Sequence, residues 1–306
     1  MPTTIIDVAP GDAGYALVLH GGAGGRIEEL SLEAHGDYTR GLSEAHAAGA
    51  AVLEAGGSAL DAVCETVRRL EDNPLFNAGR GAALTASGAA ELDACVMTGD
   101  GRAGAVAVSR TAKNPVFLAR AVLEESDHVL LVSPRDEQVR EWGLEQVSPD
   151  YFVTQARQLQ LTNVQAKRLE ASRHGTVGAV AVDREGRVAA ATSTGGMVNQ
   201  RDGRVGDTPI VGAGTYARDG VVAVSCTGEG ESFIEGVVSH DICARMRYTG
   251  ADLATAVAAT IETELDGRGA TGGIIAVGAE GRVVVAHNSP AMFAAYRTPF
   301  ELVALT

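Results

Sequence analysis

The sequence predicts an α+β fold in which β-sheets stack on each other with helices outside. Three observations carry that expectation. Strand-length apolar runs and helical stretches come in blocks, strands then helices then strands in each half, without the strict alternation of a doubly wound parallel sheet. Glycine is abundant, 38 of 306 residues, with no collagen period, and clusters at particular points, which implies many turns and close backbone approaches. A chain of this length buries roughly three quarters of its extended surface, enough for one large core or two modest ones.

The elements follow in order. Tyr15 to Leu19 is a short apolar run that reads as a buried strand feeding the glycine cluster His20-Gly21-Gly22-Ala23-Gly24-Gly25. Tyr38 to Glu54 is Ala-rich with helical periodicity and stops at Gly56-Gly57. Ser58 suits the N-cap of a second helix, in which Leu60, Val63, Val67 and Leu70 share a face before Asp72-Asn73-Pro74 breaks it. Strands are expected at Ala82–Thr85, Glu91–Met97 and Ala103–Val108, then a helix from Asn114-Pro115 to about Glu125 and a strand at Val129–Val132. Pro134 to Arg173 is polar and mostly helical. From Thr176 the texture changes. Thr176–Val182 and Val188–Thr194 read as strands joined by a turn at Asp183-Arg184-Glu185-Gly186, and Val221–Cys226 as another. Glu231–Met246 and Asp252–Leu265 read as amphipathic helices, and Gly273–Val277, Val283–Ala286 and Met292–Tyr296 as closing strands.

Composition excludes several classes of function. Hydrophobic residues at 45% and charged residues at 21% suit a globular chain and exclude a disordered one. A net charge of −14 repels phosphates, so neither nucleic acid nor an anionic membrane is an expected partner. No apolar run approaches the roughly 20 residues of a membrane span. The start, Met1 to Asp7, has no basic region followed by an apolar one. Cys64, Cys95, Cys226 and Cys243 are far apart and read as buried free thiols, so a cytoplasmic location is expected.

Common catalytic motifs fail. The dinucleotide pattern from Gly22 would need glycine where Ile27 stands, and both lysines follow alanine, so there is no Gly-Lys pair of a phosphate loop. H-E-x-x-H and G-x-S-x-G are absent, and a lone His174 reads as structural. What remains is a set of polar, Gly-rich clusters: Asn73 to Gly81, His174 to Val180, Ala191 to Met197, Gly203 to Pro209 and Cys226 to Glu231. A hydroxyl needs an adjacent base to act as a nucleophile, and a threonine at a chain start carries one in its own α-amine. Thr176 follows Gly175 and begins a strand, so cleavage between them would create that amine. Arg204 can grip a carboxylate and Asp207 an ammonium, the two charges of a free amino-acid end. Thr227 and Gly228 can present a hydroxyl and an N–H to an oxyanion. Each feature alone also fits a plain structural reading. Gly214-Thr215 is a second Gly-Thr pair, and Arg204 with Asp207 could form an ordinary turn with a surface ion pair.

As an ordered set the segments resemble the plant-type L-asparaginase / isoaspartyl peptidase family of N-terminal-nucleophile hydrolases. They are Leu19 to Gly24, Gly57 to Val63, Asn73 to Gly81, Glu91 to Ala94, Gly175 to Ala179, Thr192 to Gly196, Gly203 to Pro209 and Thr227 to Glu231. The resemblance implies a four-layer αββα sandwich, one hydrolase domain over 1–306, that cuts itself between Gly175 and Thr176 into an α part (1–175) and a β part (176–306). It implies Thr176 as nucleophile and its amine as base, Thr194 supporting the hydroxyl, and Asn77 near the nucleophile. Arg204 and Asp207, helped by the Gly230 carbonyl, would hold the substrate, and Thr227 with Gly228 the oxyanion. It also implies a structural sodium ion on the carbonyls of Leu70, Glu71, Asn73, Phe76, Ala78 and Arg80, no cofactor for catalysis, L-asparagine and β-aspartyl dipeptides as substrates, and a homodimer of αβ units.

Three segments depart from the family pattern. The stretch before the cut, Tyr151 to Arg173, is short for such a linker and looks helical; Ser133 to Asp136 replaces a Gly-rich turn; and Glu229 stands where a second carboxylate would favour cationic substrates or disfavour acidic leaving groups. Two other readings are a glycosylasparaginase, and an uncleaved, inactive relative serving as a binding protein.

Overall fold

A computed structural model describes residues 2–24, 30–167, 175–298 and 300–305. Gly25, Ile27 and His174, and the end of the pre-cut segment from Arg168 to Arg173, lie outside the described residues. The first half runs β1 (Thr4–Val8), β2 (Ala16–Ala23), α1 (Leu32–Glu54), α2 (Ala59–Asp72), β3 (Leu92–Thr98), β4 (Ala103–Ser109), α3 (Pro115–Glu125), β5 (Leu130–Val132), α4 (Asp136–Glu141) and α5 (Gln155–Gln165). The second half runs β6 (Thr176–Val182), β7 (Val188–Thr194), β8 (Thr215–Arg218), β9 (Val222–Gly228), α6 (Gly230–Gly236), α7 (Val238–Thr249), α8 (Leu253–Thr260), β10 (Gly272–Gly278), β11 (Val283–His287), β12 (Met292–Arg297) and β13 (Leu302–Leu305).

These strands form two sheets. One has the order β1-β11-β10-β9-β8, the other β13-β12-β2-β6-β7-β3-β4-β5. Helices α1, α2 and α3 cover the outer face of the larger sheet; α6, α7 and α8 cover the smaller one; the inner faces meet through β2, β6 and β7 against β8, β9 and β10. This is the expected α-β-β-α layering. The two-residue period of a strand feeds both cores. On β6, Val177, Ala179 and Ala181 pack toward the α1–α3 layer, while Val180 and Val182 pack between the sheets. Thr176 and Gly178 share the inner face with Val180.

The structure corrects the sequence expectations in several places. Ala82–Thr85 is not a strand but carries a single bridge, Leu84 to Ala90. Its amides are taken locally: Ala82 N–H donates to the Gly79 carbonyl and Ala83 N–H to Asn77 Oδ1. The expected Glu231–Met246 helix is two helices, because Val237 adopts a left-handed conformation. There the Ser239 and His240 amides donate to the Ala213 and Gly212 carbonyls, so a neighbouring loop supplies their acceptors. The helix from Asp252 loosens into a π turn over Ile261–Leu265. The first helix begins at Leu32, capped by Ser31, earlier than expected. Strands β1, β8 and β13 were not expected. In the polar stretch, α5 bears out the helical reading, and a 3₁₀ turn over Pro149–Phe152 precedes it.

The β6–β7 hairpin positions the site. Its register pairs Val182 with Val188 and Thr176 with Thr194. Asp183 at the turn accepts the amides of Glu185 (3.0 Å) and Arg187 (3.1 Å) on Oδ1 and, on Oδ2, the Ala59 amide at the start of α2 (3.1 Å). One buried carboxylate thus closes the turn and docks it on a helix end. Asp183→Ala leaves a buried amide unmet and is expected to cost about 1–3 kcal/mol, read as a lower urea midpoint at unchanged slope.

Candidate active site

Because Thr176 and Thr194 are paired across the hairpin, their side chains meet on the inner face. Thr176 Oγ1 donates to Thr194 Oγ1 at 3.1 Å. Thr194 Oγ1 in turn donates to the Gly175 carbonyl at 3.3 Å and accepts the Gly196 amide at 3.0 Å. The peptide between 175 and 176 sits in a slot that admits no side chain. Gly175 has φ +148°, and a Cβ there would lie 2.8 Å from Asn77 Cβ; a Cβ on Gly22, at φ +116°, would lie 3.1 Å from Gly175 Cα. Asn77 forms one wall and is itself braced, donating to the Gly196 carbonyl at 2.7 Å and accepting the Ala83 amide at 2.6 Å.

A second group lies around Arg204 and Asp207. A Cβ on Gly230 would be 2.9 Å from both Arg204 Nη2 and Asp207 Oδ1, so Gly230 sits against both charged groups. Arg204 pairs in bidentate fashion with Glu231, Nε to Oε1 at 2.9 Å and Nη2 to Oε2 at 3.0 Å, and its Nη1 reaches Gln200 Oε1 at 3.3 Å. Asp207 is buried, and among the described residues its Oδ2 has no hydrogen-bond partner. Burial pushes its carboxyl up to about 7; Arg204 pulls the other way, while Glu231 and Asp93 add to the rise.

Asp93 joins the two groups. It stands directly across from Thr194 in the β3–β7 ladder, accepts the Val108 amide at 2.9 Å, and also accepts the Gly206 amide. Burial pushes it, too, up to about 7. Thr227, next to last in β9, lies on the inner face with Oγ1 buried and no partner among the described residues, and Gly228 faces Gly272. Glu229 accepts the Thr271 amide at 3.1 Å and the Thr271 hydroxyl at 3.3 Å, so its carboxylate is engaged at the start of β10.

The Leu70–Arg80 loop folds tightly on itself. Carbonyls of Glu71 and Phe76 crowd the Cα atoms of Gly79 and Gly81, where a Cβ would overlap them. The carbonyls of Leu70, Asn73, Phe76 and Ala78 each accept one backbone amide, which leaves each a second lone pair. Neutral backbone oxygens of this kind are suited to a hard cation. Arg157 fastens the loop from outside, donating to the Gly81 carbonyl at 2.6 Å.

A family profile for Asparaginase matches residues 13–305. The chain belongs to the Asparaginase family. It is 48% identical over 294 residues to the isoaspartyl peptidase of Salmonella typhimurium, an alignment covering 92% of this chain and 94% of that one. It is 45% identical to the isoaspartyl peptidase of Escherichia coli, covering 92% of each chain. To the plant-type L-asparaginase of Thermococcus kodakarensis it is 41% identical, covering 92% and 95%.

Several polar residues around these groups carry no assigned role in the sequence. Glu231, Gln200 and Asp93 surround Arg204 and Asp207, and His20 places Nδ1 2.9 Å from the Thr176 carbonyl. One signal was available. Hydroxyls recur two apart at Thr192 and Thr194 and at Ser225 and Thr227, a polar stripe on one face of otherwise apolar strands. The charge pattern around Asp207 makes a direct prediction. By carbon-13 NMR titration its carboxyl is expected to titrate near 7, higher in Arg204→Gln and lower in Glu231→Gln; a value in the usual carboxylate range would refute the burial argument.

Proposed function

We propose that this chain is a self-processing amidohydrolase that converts L-asparagine to L-aspartate and ammonia and cleaves β-aspartyl (isoaspartyl) dipeptides. The relatives named isoaspartyl peptidase and plant-type L-asparaginase support the substrate class. The observation that carries the reading is the Thr176 hydroxyl on the Thr194 hydroxyl, with the Thr194 proton directed at the Gly175 carbonyl.

Self-cleavage follows from that arrangement. Thr176 Oγ attacks the Gly175 carbonyl carbon, the C–N bond to Thr176 breaks, the nitrogen takes the hydroxyl proton, and an ester remains. Water hydrolyses the ester, leaving Gly175 as a carboxylate at the end of the 1–175 part and Thr176 with a free amine at the start of the 176–306 part. An unperturbed α-amine titrates at about 7.7–8.0, so near neutral pH part of it is available as a base. In turnover, the amine takes the Thr176 hydroxyl proton as Oγ attacks the side-chain amide or isopeptide carbonyl. The oxyanion is held by Thr227 Oγ1 and the Gly228 amide, the amine or ammonia leaves with a proton, and water frees aspartate from the Thr176 ester.

Recognition of the amino-acid end falls to Arg204 for the α-carboxylate and Asp207, with the Gly230 carbonyl, for the α-ammonium. Glu231 already occupies Arg204, so the incoming carboxylate must displace it. We also propose that the carbonyls of Leu70, Glu71, Asn73, Phe76, Ala78 and Arg80 hold a sodium ion that braces the loop behind Asn77, and that αβ units pair as a homodimer. Among the described residues no helix is long and apolar enough to cross a membrane.

Mass spectrometry of purified protein is expected to find a fragment beginning at Thr176. Thr176→Ala should abolish that fragment and lower hydrolysis at least about 10³-fold, whereas Arg204→Ala should spare cleavage more than hydrolysis. A persistent full-length chain without hydrolytic activity would instead support an inactive binding protein. The pH dependence has a definite sign. Asp207 must be ionised to meet an ammonium, and its pKa is raised to about 7, so KM for L-asparagine should fall as pH rises through that value. A KM that stays flat from pH 6 to 8 would remove Asp207 from ammonium binding.

A further inference from the structure

Beneath Thr176 a chain of polar side chains crosses between the sheets, though the surrounding inner faces meet through apolar residues such as Val18, Val180, Ala190 and Ile275. His20 on β2 has Nδ1 2.9 Å from the Thr176 carbonyl oxygen and Nε2 2.9 Å from Ser225 Oγ on β9. Ser225 Oγ lies 2.7 Å from Thr192 Oγ1 on β7, which lies 2.7 Å from Thr215 Oγ1 on β8. Thr215 Oγ1 lies 3.1 Å from the carbonyl of Thr208, the residue after Asp207. All four side chains are fully buried.

Counting protons orders this chain. The Thr176 carbonyl can only accept, so Nδ1 carries the imidazole proton. Burial pushes His20 down to about 3, so the ring is neutral and Nε2 accepts from Ser225. Ser225 then accepts from Thr192, and Thr192 from Thr215. Every proton points toward Thr176. None remains for the Thr208 carbonyl, which is the longest of the five contacts. Gly178 makes the passage. It is paired with His20 on one side and Thr192 on the other, and a Cβ there would overlap Ser225 Oγ and His20 Nε2.

We propose that His20, Ser225, Thr192 and Thr215 act together as positioning residues that hold the Thr176 backbone against the smaller sheet. The proposal rests on Thr176 being the nucleophile. Once cleaved, Thr176 is the first residue of its strand, and chain ends fray unless they are tied down. A donor fixed on its carbonyl limits rotation of the residue that supplies both the attacking oxygen and the base. Misplacement of reacting groups by about 1 Å can cost about 10²-fold in rate. Neither Ser225 nor Thr215 touches the reacting atoms, so their effect passes through His20.

The test uses processed enzyme with L-asparagine, and each variant is checked for the fragment starting at Thr176 and for its melting temperature. His20→Ala is expected to lower kcat about tenfold or more with KM within about twofold. Thr215→Val is expected to lower kcat several-fold, and Thr215→Ser, which keeps the hydroxyl, to restore it. The double variant His20→Ala with Thr215→Val should be no slower than His20→Ala alone, because one chain can be broken only once. Gly178→Ala keeps every polar group but blocks the passage, and should lower kcat likewise; it stands in if His20→Ala fails to fold. Losses that multiply in the double variant, or a Thr215→Val variant with full kcat, would overturn the chain. Labelling with a reactive aspartate mimic separates the two ideas. A label away from Thr176 defeats the nucleophile reading, whereas a label on Thr176 with multiplying losses defeats only the chain.

Discussion

The register of one hairpin holds the site together. Thr176 meets Thr194 because β6 and β7 pair so that their numbers run opposite each other from the Asp183 turn outward. A slip of one residue would turn Thr176 to the other face of the sheet. That face is quite different. Ser193, next to Thr194, points into the helix layer and donates at 2.7 Å to Glu71, a carboxyl that burial pushes up to about 8 and that also accepts the Val116 amide. Adjacent hydroxyls on one strand end therefore serve separate layers. The turn that sets the register is fastened to α2, so the helix layer indirectly fixes the geometry between the sheets.

Charge balance sets the second constraint. Arg204 faces three carboxyl groups, Glu231 in direct contact and Asp207 and Asp93 within its field. In the free protein the two buried carboxyls are held up near neutrality because one guanidinium cannot offset the loss of water around both. A ligand carrying an ammonium beside a carboxylate relieves this in two ways. On the proposed reading, its ammonium supplies the partner that Asp207 Oδ2 lacks among the described residues, and its carboxylate can take over Arg204 from Glu231. A ligand with only one of those charges meets half the site, which on the proposed reading is a physical reason why free amino-acid ends would be preferred.

Much of the fold was legible because it rests on local patterns. The β6–β7 hairpin, the Ser58 cap and the Asn114-Pro115 helix start were all readable, and the structure bears them out. The errors arise where a group outside the apolar pattern, near or distant, supplies a hydrogen bond. The 231–246 helix breaks at Val237 because loop carbonyls at Gly212 and Ala213 receive the amides that begin the next helix. Ala82–Thr85 looks like a strand, yet Asn77 and Gly79 take its amides. Strand β1 is a short edge strand whose partner β11 is remote in sequence, and β13 is a four-residue edge strand paired with β12 just before it. The charged and hydroxyl residues of the site could be named from the ordered motifs. Of the partners that tune them, Glu231, Asp93 and His20 stand inside those motifs and Ser225 outside, but none shows its role there, since that role depends on segments brought together only by the fold.

On the proposed function, the proton inventory at Thr194 would link processing to turnover. In the continuous chain its single proton is committed to the Gly175 carbonyl, and its oxygen accepts from Thr176 and Gly196. On the proposed reading, cleavage removes that carbonyl from its peptide and gives Thr176 an amine that can take its own hydroxyl proton. Once the new Gly175 carboxylate leaves the slot, Thr194 has a proton without its former acceptor, beside a Thr176 oxygen that has lost one. The bond between the two hydroxyls can reverse direction, and the side chain that first polarises the scissile carbonyl becomes a donor to the nucleophile. Apart from the departing 175 end, no residue has to move for this exchange; the hairpin register already supplies both geometries.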